Sequence, residues 1–375
     1  MPRLQVRTRT QRLEYEINIG RRILSAVGSE TRGCLGSRAQ RVVLISNRKV
    51  FSLYGPAVLE SLNASGFSAS TWLMGDGERH KSVRTAERAL RFLSETGLDR
   101  GDAVIALGGG VVGDLAGFVA ATYLRGVALI QVPTTLLAQI DSSVGGKTGV
   151  NLPTGKNLIG CFHQPSAVIV DTQTLTTLPK RELVAGWCET IKQGAVGSRK
   201  LFKQTVSFLE SFNSQGRLIF SELEKLIASH CAFKALIVAA DQREDLARRD
   251  HHSRRILNFG HTIAHALEAV SGYRRFRHGE AVGHGMLVAG ELSKNLGLLN
   301  QSELELLSRA VRLCGPLPSA GGLEKSAIIK AIERDKKREG GYVQWVLLEG
   351  IGRPRIVDGK EISTRLLTQS LRNVL

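Results

Sequence analysis

Cysteine is scarce in this chain. The five Cys, at 34, 161, 188, 231 and 314, show no paired spacing, which excludes a disulfide framework and predicts a reducing compartment. Proline is sparse too, at 9 residues, and the 40 Gly follow no G-X-Y period, so a collagen-like rod is excluded. Long apolar runs are missing, and none approaches the roughly 20 residues that a membrane span needs. The opening Met1-Pro2-Arg3-Leu4-Gln5-Val6-Arg7 lacks the apolar stretch of a secretory signal. These absences predict a cytoplasmic protein with no membrane partner.

What is present is ordinary for a globular protein: 42% hydrophobic and 23% charged residues over 375 positions, enough for two domains. The charge is not ordinary. Lys and Arg number 51 against 34 Asp and Glu, a net +17, which predicts attraction to anions such as phosphorylated metabolites or nucleic acid. No basic run is interleaved with aromatics and no nucleic-acid module is recognisable, so a specific nucleic-acid partner is not expected.

The first half alternates short apolar strands with amphipathic helices. Arg41 to Ser46, Ala103 to Leu107, Ala128 to Val132 and Ala167 to Val170 read as buried strands, and Ala86 to Leu93 has helical spacing. Such continuous β-branched runs fit a parallel sheet covered on both faces, whose ligands sit outside the carboxyl ends of the strands. After about residue 180 the pattern turns helical. Ser221-Glu-Leu-Glu224 and Ser302-Glu-Leu-Glu305 have capping-box spacing, and Gly272 follows the run from His261 to Val270 as a helix stop. Tyr342 to Leu348 and Arg355 to Val357 flank Gly350 and Gly352 as a hairpin. The expectation is an α/β parallel-sheet domain over residues 1–180 and a mainly α-helical domain over 181–375, with a site between them.

Gly108-Gly-Gly110-Val-Val-Gly113-Asp114 follows a strand and precedes the helical pattern Leu115 to Thr122. The spacing is G-x-G-x-x-G, which lets backbone approach a pyrophosphate at a helix N-terminus. A tight strand-to-helix turn would use the same glycines, and no acidic residue for a ribose stands in the expected stretch from Gly126 to Thr135. Gly146-Lys147-Thr148 mimics the end of a phosphate-binding P-loop, but the required preceding Gly is Asp141 and no helix can follow, so a nucleoside-triphosphate site is rejected. The segment from Asp141 to Asn151, with Gly155-Lys156-Asn157, is dense in donors and glycine. It follows Pro133-Thr134-Thr135 at a strand end, where loops carry function.

Four of the nine His fall between His261 and His284, and His261 and His265 share one helical face. The cluster points to a divalent metal such as Zn²⁺. Spacing does not choose among His261, His265, Glu268, His278 and Glu280, and Glu189, in Trp187-Cys-Glu189-Thr-Ile-Lys192, is a further carboxylate.

Together the motifs Gly109 to Asp114, Asp141 to Thr148, Gly155 to Asn157, Glu189 with Lys192, Leu257 to Thr262, His278 to Val282 and Asp335-Lys-Lys337 resemble the 3-dehydroquinate synthase family across nearly the whole chain. The resemblance implies a Rossmann-like NAD domain and a helical metal- and substrate-binding domain. It also implies a lyase of the shikimate pathway, closing a seven-carbon sugar acid phosphate, 3-deoxy-D-arabino-heptulosonate 7-phosphate, into 3-dehydroquinate with release of phosphate. NAD and one divalent metal, Zn²⁺ or Co²⁺, are the implied cofactors.

By that resemblance Glu189, His261 and His278 bind the metal. The NAD contacts are Asp76, Gly77, Glu78, Arg79, His80, Lys81, Gly110, Val111, Val112, Gly113, Asp114, Thr134, Thr135, Lys147, Lys156, Thr174, Leu175, Thr176 and Thr177. The substrate pocket is Asp141, Lys147, Asn157, Lys192, Lys234, Arg254, Asn258 and His265. Arg125 reaches the phosphate of a neighbouring subunit, which implies a homodimer, and one of Lys336 and Lys337 joins it. Three departures stand out: Ala264 where Gly is usual, Asn47 where many members have Asp, and several extra residues within Asp245 to Ser253, expected to form a solvent loop that leaves Arg254 in place. The rival readings are a related cyclase making a valiolone or inosose, and a metal-dependent polyol dehydrogenase.

Overall fold

The buried apolar runs become strands because each is rich in β-branched residues, has apolar residues on both faces and is covered on both. In this computed structural model, which describes residues 14–336 and 343–375, the first strands are β1 (Glu16–Gly20), β2 (Arg41–Asn47), β3 (Ser68–Met74), β4 (Ala103–Gly108) and β5 (Ala128–Pro133). A hairpin of β6 (Lys147–Leu152) and β7 (Gly155–Phe162) precedes β8 (Ala167–Asp171), and β9 (Gln344–Gly350) pairs with β10 (Arg353–Asp358). The helices of the first half are α1 (Val27–Leu35), α2 (Arg48–Ala64), α3 (Val83–Glu95) and α4 (Gly110–Thr122). Those of the second are α5 (Lys180–Gly197), α6 (Arg199–Gln215), α7 (Phe220–Ala240), α8 (His261–Val270), α9 (His278–Asn295), α10 (Gln301–Leu313), α11 (Lys325–Lys336) and α12 (Thr364–Val374).

Six strands form one sheet in the order β1-β8-β5-β4-β2-β3, all pairs parallel. Alternate residues serve opposite faces. Val43, Ile45, Val104 and Ala106 pack with Leu93 of α3 and Leu115 and Val119 of α4. Val42, Leu44, Ile105 and Leu107 pack with Val58 and Leu62 of α2 and Val27 of α1. Strand β8 is shared: Ala167 and Ile169 join that second core, while Val168 and Val170 join the helical core beside Trp187 and Ile191. The sheet and the helical half are therefore joined through buried apolar contact.

From β2 the chain goes to β3 on one side and then to β4 on the other. The carboxyl ends of β2 and β4 are the switch point where open α/β sheets take their ligands. Asn47 ends β2 there, and Gly108 ends β4.

Three expectations need correction. Helix α4 starts at Gly110, not Leu115, so the glycine stretch is itself its first turn. The segment from Lys147 to Asn157 is not a loop but the β6–β7 hairpin, because its β-branched and small residues can pair across a short turn. Neither capping box forms. Ser221 lies inside α7, whose flanking residue is Ile219, and Asn300 rather than Ser302 caps α10 by accepting from the Glu303 N–H at 2.9 Å. Asn caps as well as Ser, and Ser302, two residues further on, already lies inside the helix. The helix stop at Gly272 (φ +63°) and the C-terminal hairpin stand as expected, except that Tyr342, the expected start of its first strand, lies outside the described residues.

Two glycines set how closely the helices meet. A Cβ on Gly279 would overlap the carbonyl of Ala185, and one on Gly285 would overlap the carbonyl of Gly260. Helix α9 therefore lies directly on the backbone of α5 and of the segment that starts α8. Gly279→Ala is expected to cost about 1–3 kcal/mol by overpacking, seen as a lower urea midpoint with an unchanged slope. A midpoint equal to the parent's contradicts this packing.

Candidate active site

Those close contacts bring three side chains from three helices to one point. Glu189 lies on α5, and His261 and His278 are the first residues of α8 and α9. One ligand atom from each lies within 4.8 Å of the others. His278 Nε2 is 3.5 Å and His261 Nε2 3.8 Å from Glu189 Oε1. Glu189 is 1% exposed, and neither carboxylate oxygen receives a well-aligned hydrogen bond. Lys192 Nζ forms an ion pair with Oε2 at 2.5 Å but off the hydrogen-bond direction. A buried carboxylate with one oxygen, Oε1, turned to two imidazole nitrogens is the donor set of a divalent cation. Burial pushes the His261 imidazole well below its usual range, with Lys192 and the neighbouring imidazoles adding to the effect. Lone-pair nitrogen is the form that ligates metal.

The remaining candidates left open by spacing are now separated. Glu280 accepts two bonds from Arg181, at 2.8 and 2.6 Å, and one from the Arg277 N–H at 2.7 Å, so it caps α9. His284 Nε2 lies 2.9 Å from the Pro318 carbonyl. Glu268 takes Lys156 at 2.9 Å and lies beside His278. His265 is exposed on the same face as His261, with ring centroids 5.6 Å apart, and 6.0 Å from the His278 ring.

Beside this group sits Asp141, on a π-helical turn, Ala138–Ser142, just past β5. Lys234 is ion-paired to its carboxylate, and Lys192 Nζ is 3.4 Å from the other oxygen. Burial raises the Asp141 carboxyl, but Lys234 and Lys192 more than offset this and hold it below the usual range. The turn exposes three successive carbonyls, and each is held by a side chain. Cys231 Sγ bonds that of Gln139 at 3.2 Å, Gln193 Nε2 that of Ile140 at 3.0 Å, and Lys234 Nζ that of Asp141 at 2.6 Å. Gln193 is in turn fixed by buried His230 at 3.1 Å, which reaches Thr205 at 3.0 Å. Arg254, 2% exposed, points its guanidinium at the Gln242 carbonyl (3.0 Å) and over the Phe162 ring. Lys147 pairs with Glu244, which also accepts from Asn258 at 3.1 Å.

On the other side lies the glycine turn. No side chain caps α4, and no acidic residue stands in its first turn, so its leading N–H groups point out at the sheet's switch point unmet by side chains. A Cβ at Gly109 would press on Thr135 at 2.9 Å. An uncapped N-terminus without a side chain over it fits a pyrophosphate. Lys81 gathers Asp114 (2.8 Å), Asn157 (2.5 Å) and Glu78 (3.5 Å). Asn47 donates to Asp76 at 3.3 Å. Thr174 and Leu175 are buried, and the Thr174 hydroxyl is engaged by the Asp171 carbonyl and Gln139.

The rest of the sequence-named residues fall apart from this assembly. Arg125 is exposed just past α4, about 20 Å from its first turn at 1.5 Å per residue. Lys337 lies outside the described residues, as does the Lys336 side chain. The extra residues within Asp245 to Ser253 form turns and bends, mostly exposed, with Arg254 buried behind them. Four contributors carried no sequence signal of their own: Glu244 beside Lys147, the Gln193–His230 pair behind Asp141, and Tyr15, whose hydroxyl accepts from the Gly145 N–H at 3.2 Å.

A doubly wound parallel sheet joined to a helical layer, with a Glu-His-His group and a cluster of buried lysines near the sheet's carboxyl edge, defines a class of nucleotide- and metal-dependent enzymes. Family models agree: 3-dehydroquinate synthase N-terminal matches residues 64–185 and 3-dehydroquinate synthase C-terminal matches 186–338. The chain belongs to the 3-dehydroquinate synthase family. It is 44% identical over 348 residues to the 3-dehydroquinate synthase of Pelotomaculum thermopropionicum, covering 92% of this chain and 90% of that one. It is 40% identical over 364 residues to that of a Nostoc species, covering 96% of each. Among solved structures, a 2-deoxy-scyllo-inosose synthase complexed with carbaglucose-6-phosphate, NAD⁺ and Co²⁺ superposes with a TM-score of 0.83 at 26% identity over 96% of each chain. A 2-epi-5-epi-valiolone synthase from Streptomyces hygroscopicus, with NAD⁺ and Zn²⁺ bound, gives 0.87 at 24% identity over 99% of each, which shows the shared fold.

Removing the Asp141 charge leaves Lys192 and Lys234 buried without it. Asp141→Asn is expected to cost about 3–5 kcal/mol at neutral pH. Because the folded carboxyl is held below its unfolded value of about 3.9, its contribution is complete above that pH and fades as pH falls through the folded value. The gap between the urea midpoints of parent and variant should be constant above about pH 4 and should narrow progressively as pH falls below it. A gap that persists unchanged contradicts the ion-pair account.

Proposed function

We propose that this chain is a 3-dehydroquinate synthase, converting 3-deoxy-D-arabino-heptulosonate 7-phosphate to 3-dehydroquinate and phosphate. The observation that carries it is the buried Glu189 carboxylate, whose Oε1 faces His261 and His278 while Lys192 pairs with Oε2 and Asp141 lies beyond Lys192. Glu189, His261 and His278 hold a divalent ion, Zn²⁺ or Co²⁺. Asp76 to Lys81, Gly110 to Asp114, Thr134, Thr135, Lys147, Lys156 and Thr174 to Thr177 would hold NAD, with its pyrophosphate met by the uncapped α4 N-terminus. When bound, the ion would supply Lewis-acid polarisation of a substrate hydroxyl, and NAD would supply a hydride acceptor and donor.

The chain's own residues bind and orient. Lys234 and Arg254 grip the substrate carboxylate, and Lys147, Asn157 and His265 hold the phosphate as it gains charge on leaving. Lys192 and Asp141 face the substrate hydroxyls and the ion, while Asn258 steadies Lys147 through Glu244. Arg125, about 20 Å from its own glycine turn, serves the partner's phosphate in a homodimer. Residues 1–180 thus carry NAD and 181–375 carry metal and most of the substrate contacts. No described helix is long and apolar enough to cross a membrane, and the expected location is the cytoplasm.

With NAD, Zn²⁺ or Co²⁺ and the heptulosonate phosphate, the protein should release inorganic phosphate and dehydroquinate in equal amounts without accumulating NADH. Chelation followed by dialysis should abolish turnover, and the added ion should restore it. Steady NADH growth would identify a dehydrogenase instead, and turnover of a different sugar phosphate would identify a related cyclase. For the dimer, Arg125→Ala and Glu189→Gln should each be inactive alone, and their co-expression should recover part of the activity. No recovery contradicts a shared site.

A further inference from the structure

His278 has two carboxylates, one at each ring nitrogen. Its Nε2 faces Glu189 Oε1 at 3.5 Å, and its Nδ1 faces Glu268 Oε2 at 3.4 Å. A neutral imidazole carries one proton, and whichever nitrogen keeps it cannot ligate. We propose that Glu268 is a positioning residue for the ion. It accepts the Nδ1–H of His278 and so turns the Nε2 lone pair toward Glu189. This rests on the reading of Glu189, His261 and His278 as ligands.

The other imidazole is arranged in the same sense: His261 Nδ1 lies 3.3 Å from the Phe259 carbonyl, leaving Nε2 toward Glu189. Both outer nitrogens are thus met by acceptors, the arrangement that fixes tautomer and ring orientation at metal sites. Glu268 is built for the task. It is 3% exposed, on α8 one turn beyond His265, and its second oxygen is held by Lys156 at 2.9 Å. Lys156 is itself set by the Tyr273 ring, 4.6 Å away, at a residue with φ +58°. Lys156 lies on β7 next to Asn157, which bonds Lys81 beside Asp114. One carboxylate therefore ties a ligand imidazole to the hairpin on the glycine-turn side.

The test is titration of the metal-free full chain with Co²⁺, reading bound ion by its visible absorption. The parent should bind one ion per chain, and Glu189→Gln should not bind it. If the parent shows no bound ion, or Glu189→Gln binds like the parent, the ligand assignment fails independently of Glu268. Given parent binding, Glu268→Gln should raise the Co²⁺ Kd by about 10–100-fold and alter the visible bands as the ring loses its anchor. Because this change strands Lys156, the comparison is repeated in its absence. Lys156→Met should stay within about threefold of the parent, and Lys156→Met with Glu268→Gln should bind at least about tenfold more weakly than Lys156→Met alone. If Glu268→Gln does not fold, the double variant carries the test, since both charges leave together. The proposal is overturned if adding Glu268→Gln changes Kd by less than about threefold in either background, or if Lys156→Met alone reproduces the loss. A second Co²⁺ per chain that vanishes with Glu268→Gln also overturns it, since Glu268 with His265 and His278 would then be a ligand group of its own.

Discussion

A carboxylate held at 1% exposure with no aligned donor is a constraint on everything around it. A carboxylate in such a place calls for cations around it, because an isolated buried charge carries a large desolvation penalty. Lys192, one helical turn away, supplies one cation at Oε2 and leaves Oε1 to the two imidazoles. Of the two imidazoles that face it, His261 is a poor cation, because burial depresses its pKa, whereas at His278 burial is outweighed by the Glu268 and Glu189 carboxylates, which raise it. An ion between them resolves the imbalance. The geometry that keeps it open is backbone geometry. Gly279 lets α9 touch α5, and Gly260 with Gly285 lets α9 touch the start of α8.

The neighbouring lysines obey the same accounting of charge. Lys234 and Lys192 share Asp141, Lys147 has Glu244, Lys81 has Asp114 and Glu78, and Lys156 has Glu268. Each of these ammoniums, whether buried like Lys192 or exposed like Lys147, has a carboxylate close by, so the pocket can be rich in cations without being unstable. Such a surface suits a ligand with two anionic groups, which can enter these pairings in place of water. It accounts for part of the +17 charge, while many of the exposed Lys and Arg lie elsewhere. The sheet contributes position. Its carboxyl edge delivers the uncapped α4 turn, Thr135 and the Asp141 turn from adjacent strands.

Much of this was legible in the residues. The buried strands read directly as apolar β-branched runs, because a sheet covered on both faces leaves no polar alternation to hide them. The Gly108 to Asp114 stretch read correctly as a strand-to-helix turn, yet its helix begins five residues earlier than the apolar pattern suggests, since glycine carries no hydrophobic signal. The two Ser-x-x-Glu patterns misled because Asn300 is the better-placed cap and α7 starts without one. Spacing could not separate Glu268 and Glu280 from the ligands. What decides their roles is which cation reaches them, Lys156 for one and Arg181 for the other, and those cations come from distant segments. Glu244 was hidden for a similar reason: it joins Lys147 and Asn258 across the extra residues that follow it.

The most direct measurement is anomalous diffraction from crystals grown with Zn²⁺ and NAD. The account predicts one strong anomalous peak bounded by a Glu189 oxygen and the Nε2 atoms of His261 and His278, at about 2.0–2.2 Å from each. A peak placed elsewhere, or those three side chains turned away from one another in the loaded protein, would contradict it.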